Sequence, residues 1–211
     1  MEVYGTKPKK FTKDWWGYFW YYYKWHTIGF GVALFVIVYT CVDCALQTKY
    51  DLQADIITET PVLEQQKEAF TELMSANITD ASGNGQVDAF VLGLSTGGDM
   101  DPQAIQAIQT KLMLEPQYSE SYIFVLSKKY ADMFTEYGCW EESSTWTDAQ
   151  PEADGCMVSL AGCSVLEDIG IDTQDLYIAV RTVRDKETDD EYKKAQHENA
   201  VKFAQYLISQ R

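Results

Sequence analysis

The longest apolar run in the chain is Thr27 to Leu46 (TIGFGVALFVIVYTCVDCAL), twenty residues whose only formal charge is Asp43, near its end. Helix rises about 1.5 Å per residue, so such a run covers roughly 30 Å, the hydrocarbon thickness of a bilayer. Ahead of it, nine of the eleven residues from Trp15 to Trp25 are Trp, Tyr or Phe. Amphipathic rings favour the headgroup layer, which makes this segment an aromatic belt. It is expected to start as an interfacial helix on the membrane, with Lys10, Lys13 and Lys24 available to anionic lipid.

Beyond residue 46 the pattern becomes that of a folded domain, strand-like runs alternating with amphipathic segments. Gln53 to Thr58 predicts a first strand. Thr60 and Pro61 then predict a helix start, because Pro is tolerated at the first helical position; this helix runs to about Ala76, with Leu63, Phe70, Leu73 and Met74 on one face. Val87 to Leu94 is nearly all apolar, as in a strand buried on both faces. Asp101 and Pro102 predict the next helix, with Ile105, Ile108 and Leu112 as its buried stripe. Tyr122 to Leu126 predicts a third buried strand and Lys128 to Tyr137 a short helix. The periodicity fails from Gly138 to Gln150, predicting an exposed loop that carries Trp140 and Trp146. Met157 to Leu160 and Leu176 to Thr182 are further strands. Thr188 and Glu191 fit a capping box for a last helix whose apolar face is Tyr192, Ala195, Phe203, Ala204, Leu207 and Ile208. Strand and helix in alternation predict an α/β fold: a single N-terminal transmembrane helix followed by a three-layer α/β domain with a largely parallel sheet. The chain thus divides into a basic, aromatic juxtamembrane segment (1–26), a transmembrane helix (27–46) and an acidic α/β domain (47–211).

Charge assigns sides to these parts. Residues 1–46 hold five Lys against Glu2, Asp14 and Asp43, a net of +2, whereas the remainder holds 12 basic and 29 acidic residues, a net of −17. By the positive-inside rule the N-terminus is cytoplasmic and the acidic domain extracellular, a single-pass plasma-membrane topology. A cleaved signal peptide with Ile28 to Tyr39 as its apolar stretch is the competing reading. Against it stand the long aromatic segment before the run and Asp43, which spoils an A-x-A-like site at Ala45. A total charge of −15 opposes nucleic-acid binding.

Motifs that carry chemistry are few. Cys41 and Cys44 form C-x-x-C at the end of an apolar helix, where small packing residues explain them as well as thiol chemistry does. In an oxidising compartment Cys156 could pair with Cys163, or Cys139 with Cys156. Asp80, Ser82, Asn84 and Asp88 follow the first half of an EF-hand loop with Gly85 at its turn, which makes calcium a candidate cofactor, although Val91 stands where the bidentate Glu belongs. A polar turn is the alternative. Ser95, Thr96, Gly97 and Gly98 follow a strand and precede a helix, where α/β folds bind ligands, but Asp99 and Asp101 oppose an anion there. Trp140 and Trp146, beside Glu141 and Glu142, could stack on a sugar or a cation, but an ordinary loop whose Trp rings pack back onto the domain is the preferred reading. His26 and His197 have no nucleophile nearby in sequence, with His197 on the polar side of the last helix, and there is no S-x-x-K, P-loop or H-E-x-x-H. No enzyme is expected.

Several segments resemble a known family. YIFVLSKKYADMFTEYGCWEE looks like the part of bacterial extracellular solute-binding proteins in which a strand ends in a ligand-facing loop, here at Ser127, and a helix follows. DLYIAVR and NAVKFAQYLIS look like the late strand and closing helix of that fold. A Lys-rich aromatic N-terminus, KWHTIG leading into one span, and a small acidic α/β domain are similar to membrane-anchored proteins of clostridial-type bacteria. The resemblance implies one lobe of a periplasmic binding protein; its roughly 165 outer residues suffice for one lobe, whereas that family closes two around a ligand. The expected function is a membrane-anchored binding module for a small molecule, peptide or glycan; the alternative is a non-catalytic accessory or structural subunit bound to a membrane-protein partner.

Overall fold

A computed structural model of the chain describes residues 10–45, 48–98, 101–151 and 155–211. They fall into two compact units, Met1–Thr48 and Lys49–Arg211.

The first unit is one helix, α1 (Lys13–Ala45). The expected break between an interfacial segment and a span is absent: the helix runs unbroken through the aromatic stretch and the apolar run. Its most apolar 18-residue window has a mean hydropathy of 1.8, and the stretch Lys13–Val42 is long and apolar enough to cross a membrane. Aromatic residues four apart share a helix face, and here they touch in series, Phe11 with Trp15, Trp15 with Phe19 and Phe19 with Tyr23, at centroid separations of 5.3, 5.3 and 5.5 Å. Cys41 is an exposed thiol; the side chains of Asp43 and Cys44 and all of Leu46 lie outside the described residues.

The second unit is a five-stranded sheet between two helical layers. In chain order its elements are β1 (Leu52–Thr58), α2 (Glu64–Asn77), β2 (Ala89–Ser95), α3 (Pro102–Tyr118), β3 (Ile123–Ser127), α4 (Lys128–Phe134), β4 (Val158–Ser159), α5 (Ser164–Asp168), β5 (Leu176–Val180) and α6 (Glu191–Ser209). The strand order is β2-β1-β3-β5-β4. β1 pairs in parallel with β2 and β3, and β5 runs antiparallel between β3 and β4, so four of the five strands point one way and the sheet is mostly parallel.

Alternation along each strand sorts the core into two layers. Leu52, Ala54, Ile56, Ile123, Val125, Ile178 and Val180 meet Phe70 and Met74 of α2 and Phe203, Ala204 and Leu207 of α6. Ile57, Leu94, Phe124, Leu126, Tyr177 and Ala179 meet Leu112 of α3 and Tyr130, Ala131 and Phe134 of α4 on the other face.

Several expected boundaries and faces move, each for a local reason. α2 starts three residues after Pro61: Thr58 Oγ1 donates to the Thr60 carbonyl at 2.7 Å, keeping the chain in a turn, and the Gln66 side chain accepts the Leu63 N–H at 2.9 Å. Leu63 is therefore exposed. β2 is an edge strand with a neighbour on one side only, so Phe90 is 39% exposed and the strand is not buried on both faces. The cap of α6 is Asp190, whose Oδ1 accepts the N–H groups of Tyr192 and Lys193, and Thr188 donates to carbonyls instead. The stretch 138–151 is no exposed loop around its tryptophans. Trp140 forms a bridge with Arg181, and its ring meets Phe124 edge-on at 5.0 Å; Trp146 belongs to the opposite layer.

Candidate functional site

β1 leads through α2 to β2 at one edge, and β2 returns through α3 to β3 on the other side of β1, with α2 and α3 on opposite faces. The connections therefore diverge between the carboxyl ends of β1 and β3, the place where open α/β sheets leave a crevice for ligands. A cavity of about 280 Å³ lies there, lined by Thr58, Glu59 and Thr60 after β1, Val62 and Gln66 at the start of α2, Ser127 after β3, and Gly170, Ile171, Asp172, Asp175 and Leu176 leading into β5.

Its walls are tied together by polar contacts. Gln66 Nε2 donates to the Gly170 carbonyl at 2.5 Å, and the Lys128 N–H donates to the Asp175 carbonyl at 2.9 Å. Lys129 and Glu59 form an exposed ion pair at 3.2 Å. Ser127 is the exception. It is 8% exposed and its Oγ has no hydrogen-bond partner; at the start of α4 the hydroxyl caps nothing. A buried hydroxyl without a partner is costly, and this one belongs to a residue that lines the cavity.

The other expected ligand residues separate into two groups. Ser95 Oγ donates to the Glu59 carbonyl at 2.9 Å and accepts the Gly97 N–H at 3.1 Å, and Thr96 Oγ1 lies 2.7 Å from Tyr130 Oη. A Cβ at residue 97 would stand 2.1 Å from the Glu59 carbonyl oxygen, so only glycine allows this approach. Ser95 to Gly98 thus brace the loop after β1. Asp99 lies outside the described residues. Asp101 caps α3, accepting from Gln103 and Ala104 at 2.9 Å. Trp140 and Trp146 present no stacking face: they are 6% and 4% exposed, and Trp140 Nε1 donates to the Phe134 carbonyl at 2.7 Å.

Sequence reasoning overlooked that Gly93-Leu94-Ser95-Thr96-Gly97 has the G-x-S-x-G spacing of a nucleophile elbow. Among the described residues Ser95 has no base. Its hydroxyl donates to a backbone carbonyl, and His197 stacks edge-on against Tyr122 at 5.5 Å, at the opposite end of β3. Nor does His197 lie on a polar side: it is largely buried, with Nε2 3.0 Å from Glu141 Oε1.

In the turn that reads as a polar helix-to-strand turn or, less readily, a calcium loop, Asp80 Oδ1 accepts from Ser82 Oγ and the Gly83 N–H, and Oδ2 accepts the Gly85 N–H at 2.8 Å. These bonds, the Gly85 N–H foremost, hold the exposed carboxyl below its usual range. Asn84 donates to Asp88 Oδ2 and accepts the Gln86 N–H. The turn is anchored by a residue the pattern did not mark: fully buried Asp51 accepts the N–H groups of Ala81, Ser82 and Asp88 at 2.7–2.8 Å.

The Cys156–Cys163 pairing fails because the two lie on opposite faces of the sheet, Cys163 among the α2 and α6 contacts and Cys156 against the α3 and α4 layer. Cys139, Cys156 and Cys163 are all thiols, and burial raises the pKa of Cys139 and Cys163.

No known protein family, no curated protein and no solved structure matches the chain.

Proposed function

We propose that the chain is a single-pass, membrane-anchored extracellular binding module that holds a ligand at the carboxyl ends of β1 and β3. The observation that carries this reading is the cavity at the point where the connections diverge, together with the unpartnered Ser127 hydroxyl beside it. The anchor is α1. The lysines ahead of the span and the acidic domain behind it favour a cytoplasmic N-terminus. The topology of the sheet supports the likeness to one lobe of a solute-binding protein: ligand residues gather at one end of parallel strands while the other end is closed by structure. The test uses cells that express the full-length chain and a panel of radiolabelled amino acids, amines, sugars and short peptides. Saturable binding to intact cells is expected, with loss in Asp172→Trp, which fills the mouth of the cavity from an exposed position. Binding seen only after lysis overturns the topology, and binding indifferent to that substitution overturns the site.

The accessory-subunit reading is favoured by a separate observation. Met113, Leu114, Tyr118 and Met133 are 45–69% exposed, beside an apolar groove between α3 and α4; exposed apolar patches of this kind mark protein contacts.

A further inference from the structure

The chemistry of the cavity narrows its ligand, and this step rests on the reading of that cavity as the binding site. Three carboxylates line it, Glu59, Asp172 and Asp175, and among the described residues no lysine or arginine does. The nearest rim cation, Lys129, is paired with Glu59 from outside the cavity.

Hydrogen-bond capacity is equally one-sided. The Thr58 hydroxyl donates to the Thr60 carbonyl, and the Gln66 amide has its Nε2 on Gly170 and its Oε1 on the Leu63 N–H. Asp172 Oδ1 takes the Gln174 N–H at 3.1 Å, which leaves Oδ2 open. The walls therefore offer carboxylate and hydroxyl oxygens as acceptors, and Ser127 Oγ, 92% buried and without a partner, completes the set. An anionic ligand would meet three like charges and, as neutral donors, the Thr60 and Ser127 hydroxyls and the second N–H of the Gln66 amide. A ligand rich in N–H groups would meet matched acceptors, and charge-assisted bonds of that kind are the strong ones.

We infer that the cavity takes a small organic cation, an alkylammonium or guanidinium compound, whose N–H groups are accepted by Glu59, Asp172 and Asp175, with the Ser127 hydroxyl oxygen as the buried acceptor at its inner end. Glucose, glutamate and inorganic phosphate are discriminated against, the first for lack of charge and the others for its sign.

The experiment is calorimetric titration of the full-length chain in nanodiscs with 1,4-diaminobutane and with arginine amide, and in parallel with glucose, glutamate and phosphate. Saturable binding of one of the two cations is expected. Asp172→Asn and Asp175→Asn each weaken it by about two- to fivefold, the range for exposed charge pairs, and the double variant by about tenfold. Ser127→Ala weakens it by about fivefold, one neutral hydrogen bond. Cation binding unaffected by all of these substitutions is adsorption to an acidic surface and overturns the inference. Binding of glucose, glutamate or phosphate that Asp172→Trp abolishes, with no cation bound, keeps the cavity as the ligand site and overturns the cationic class. If none of the five probes binds, both fall together.

Discussion

The two ends of the sheet treat buried polar groups in opposite ways. At the amino end of β1 and β3, Asp51 takes three backbone N–H groups, Asn199 bonds the backbone of Asp51 and Thr79 and also the Thr79 hydroxyl, and Asp55 accepts from Ser119 and Ser121. Arg181, 1% exposed, donates through Nη1 to the Ser119 carbonyl and lies over the Tyr122 ring at 4.8 Å, while its Nε and Nη2 have no hydrogen-bond partner among the described residues. Burial lowers the pKa of that guanidinium and raises that of the Tyr122 phenol. At the carboxyl end the carboxylates are exposed, the buried Thr58 hydroxyl serves only its own turn, and the buried Ser127 hydroxyl is unmatched among the described residues. Polar groups at the first end close the fold, while those at the second leave capacity for something else.

Asp51→Ala is expected to test this contrast most severely. It strips three acceptor bonds from a fully buried site and should lower stability by about 3–5 kcal/mol, read as a fall in the urea midpoint. A fall below 1 kcal/mol would mean that the turn 80–88 holds itself.

Asp55 is next. Burial pushes its pKa up to about 7 from 3.8, against the two serine hydroxyls, which favour the charged form. The folded state thus holds a proton that the unfolded state has lost between those values. The contribution to stability is fully present below about pH 4 and is lost as pH rises through 7, at no more than ~1.4 kcal/mol per pH unit. Asp55→Asn should therefore gain on the parent chain between pH 5 and pH 8 in paired melts. Parallel pH curves for the two would place a compensating charge beside Asp55.

Ser127→Ala is expected to have the smallest effect, a gain of about 1 kcal/mol in the absence of ligand, because it has no bond to lose and removes a buried hydroxyl without a partner. A cost above 1 kcal/mol would show that this end, too, is structural.

The same contrast explains what the sequence could reveal. Apolar alternation marked β1, β3 and β5 to within a residue or two, and the uncharged run marked the part of α1 that can span a bilayer. The carboxyl-end crevice followed from the strand and helix alternation, and Ser127 lines the cavity there. Buried polar residues were the blind spot. Hydropathy reads Asp51, Asp55 and Arg181 as surface residues, and their partners are distant in the chain. The inward face of α6 holds Gln196 and Asn199, each 1% exposed; a face drawn from apolar residues alone rotates past them and puts His197 outside. Trp140 and Trp146 pack back onto the domain as the preferred reading had it, but the loop that carries them is less exposed than its lack of periodicity suggested, because backbone bonds with Val180 and Cys139 pin it to the end of β5.

The position of β1 in the strand order has a mechanical consequence. Only six residues separate Ala45 of α1 from Leu52 of β1, so a pull on α1 would enter the second unit at an interior strand, registered with β2 along Leu52–Thr58 and with β3 along Ala54–Ile57. Pulled along its axis, such a strand must shear two ladders at once; an edge strand can unzip one bond at a time. Were α1 to hold the chain at a surface, the load would thus fall on the strand best paired to bear it.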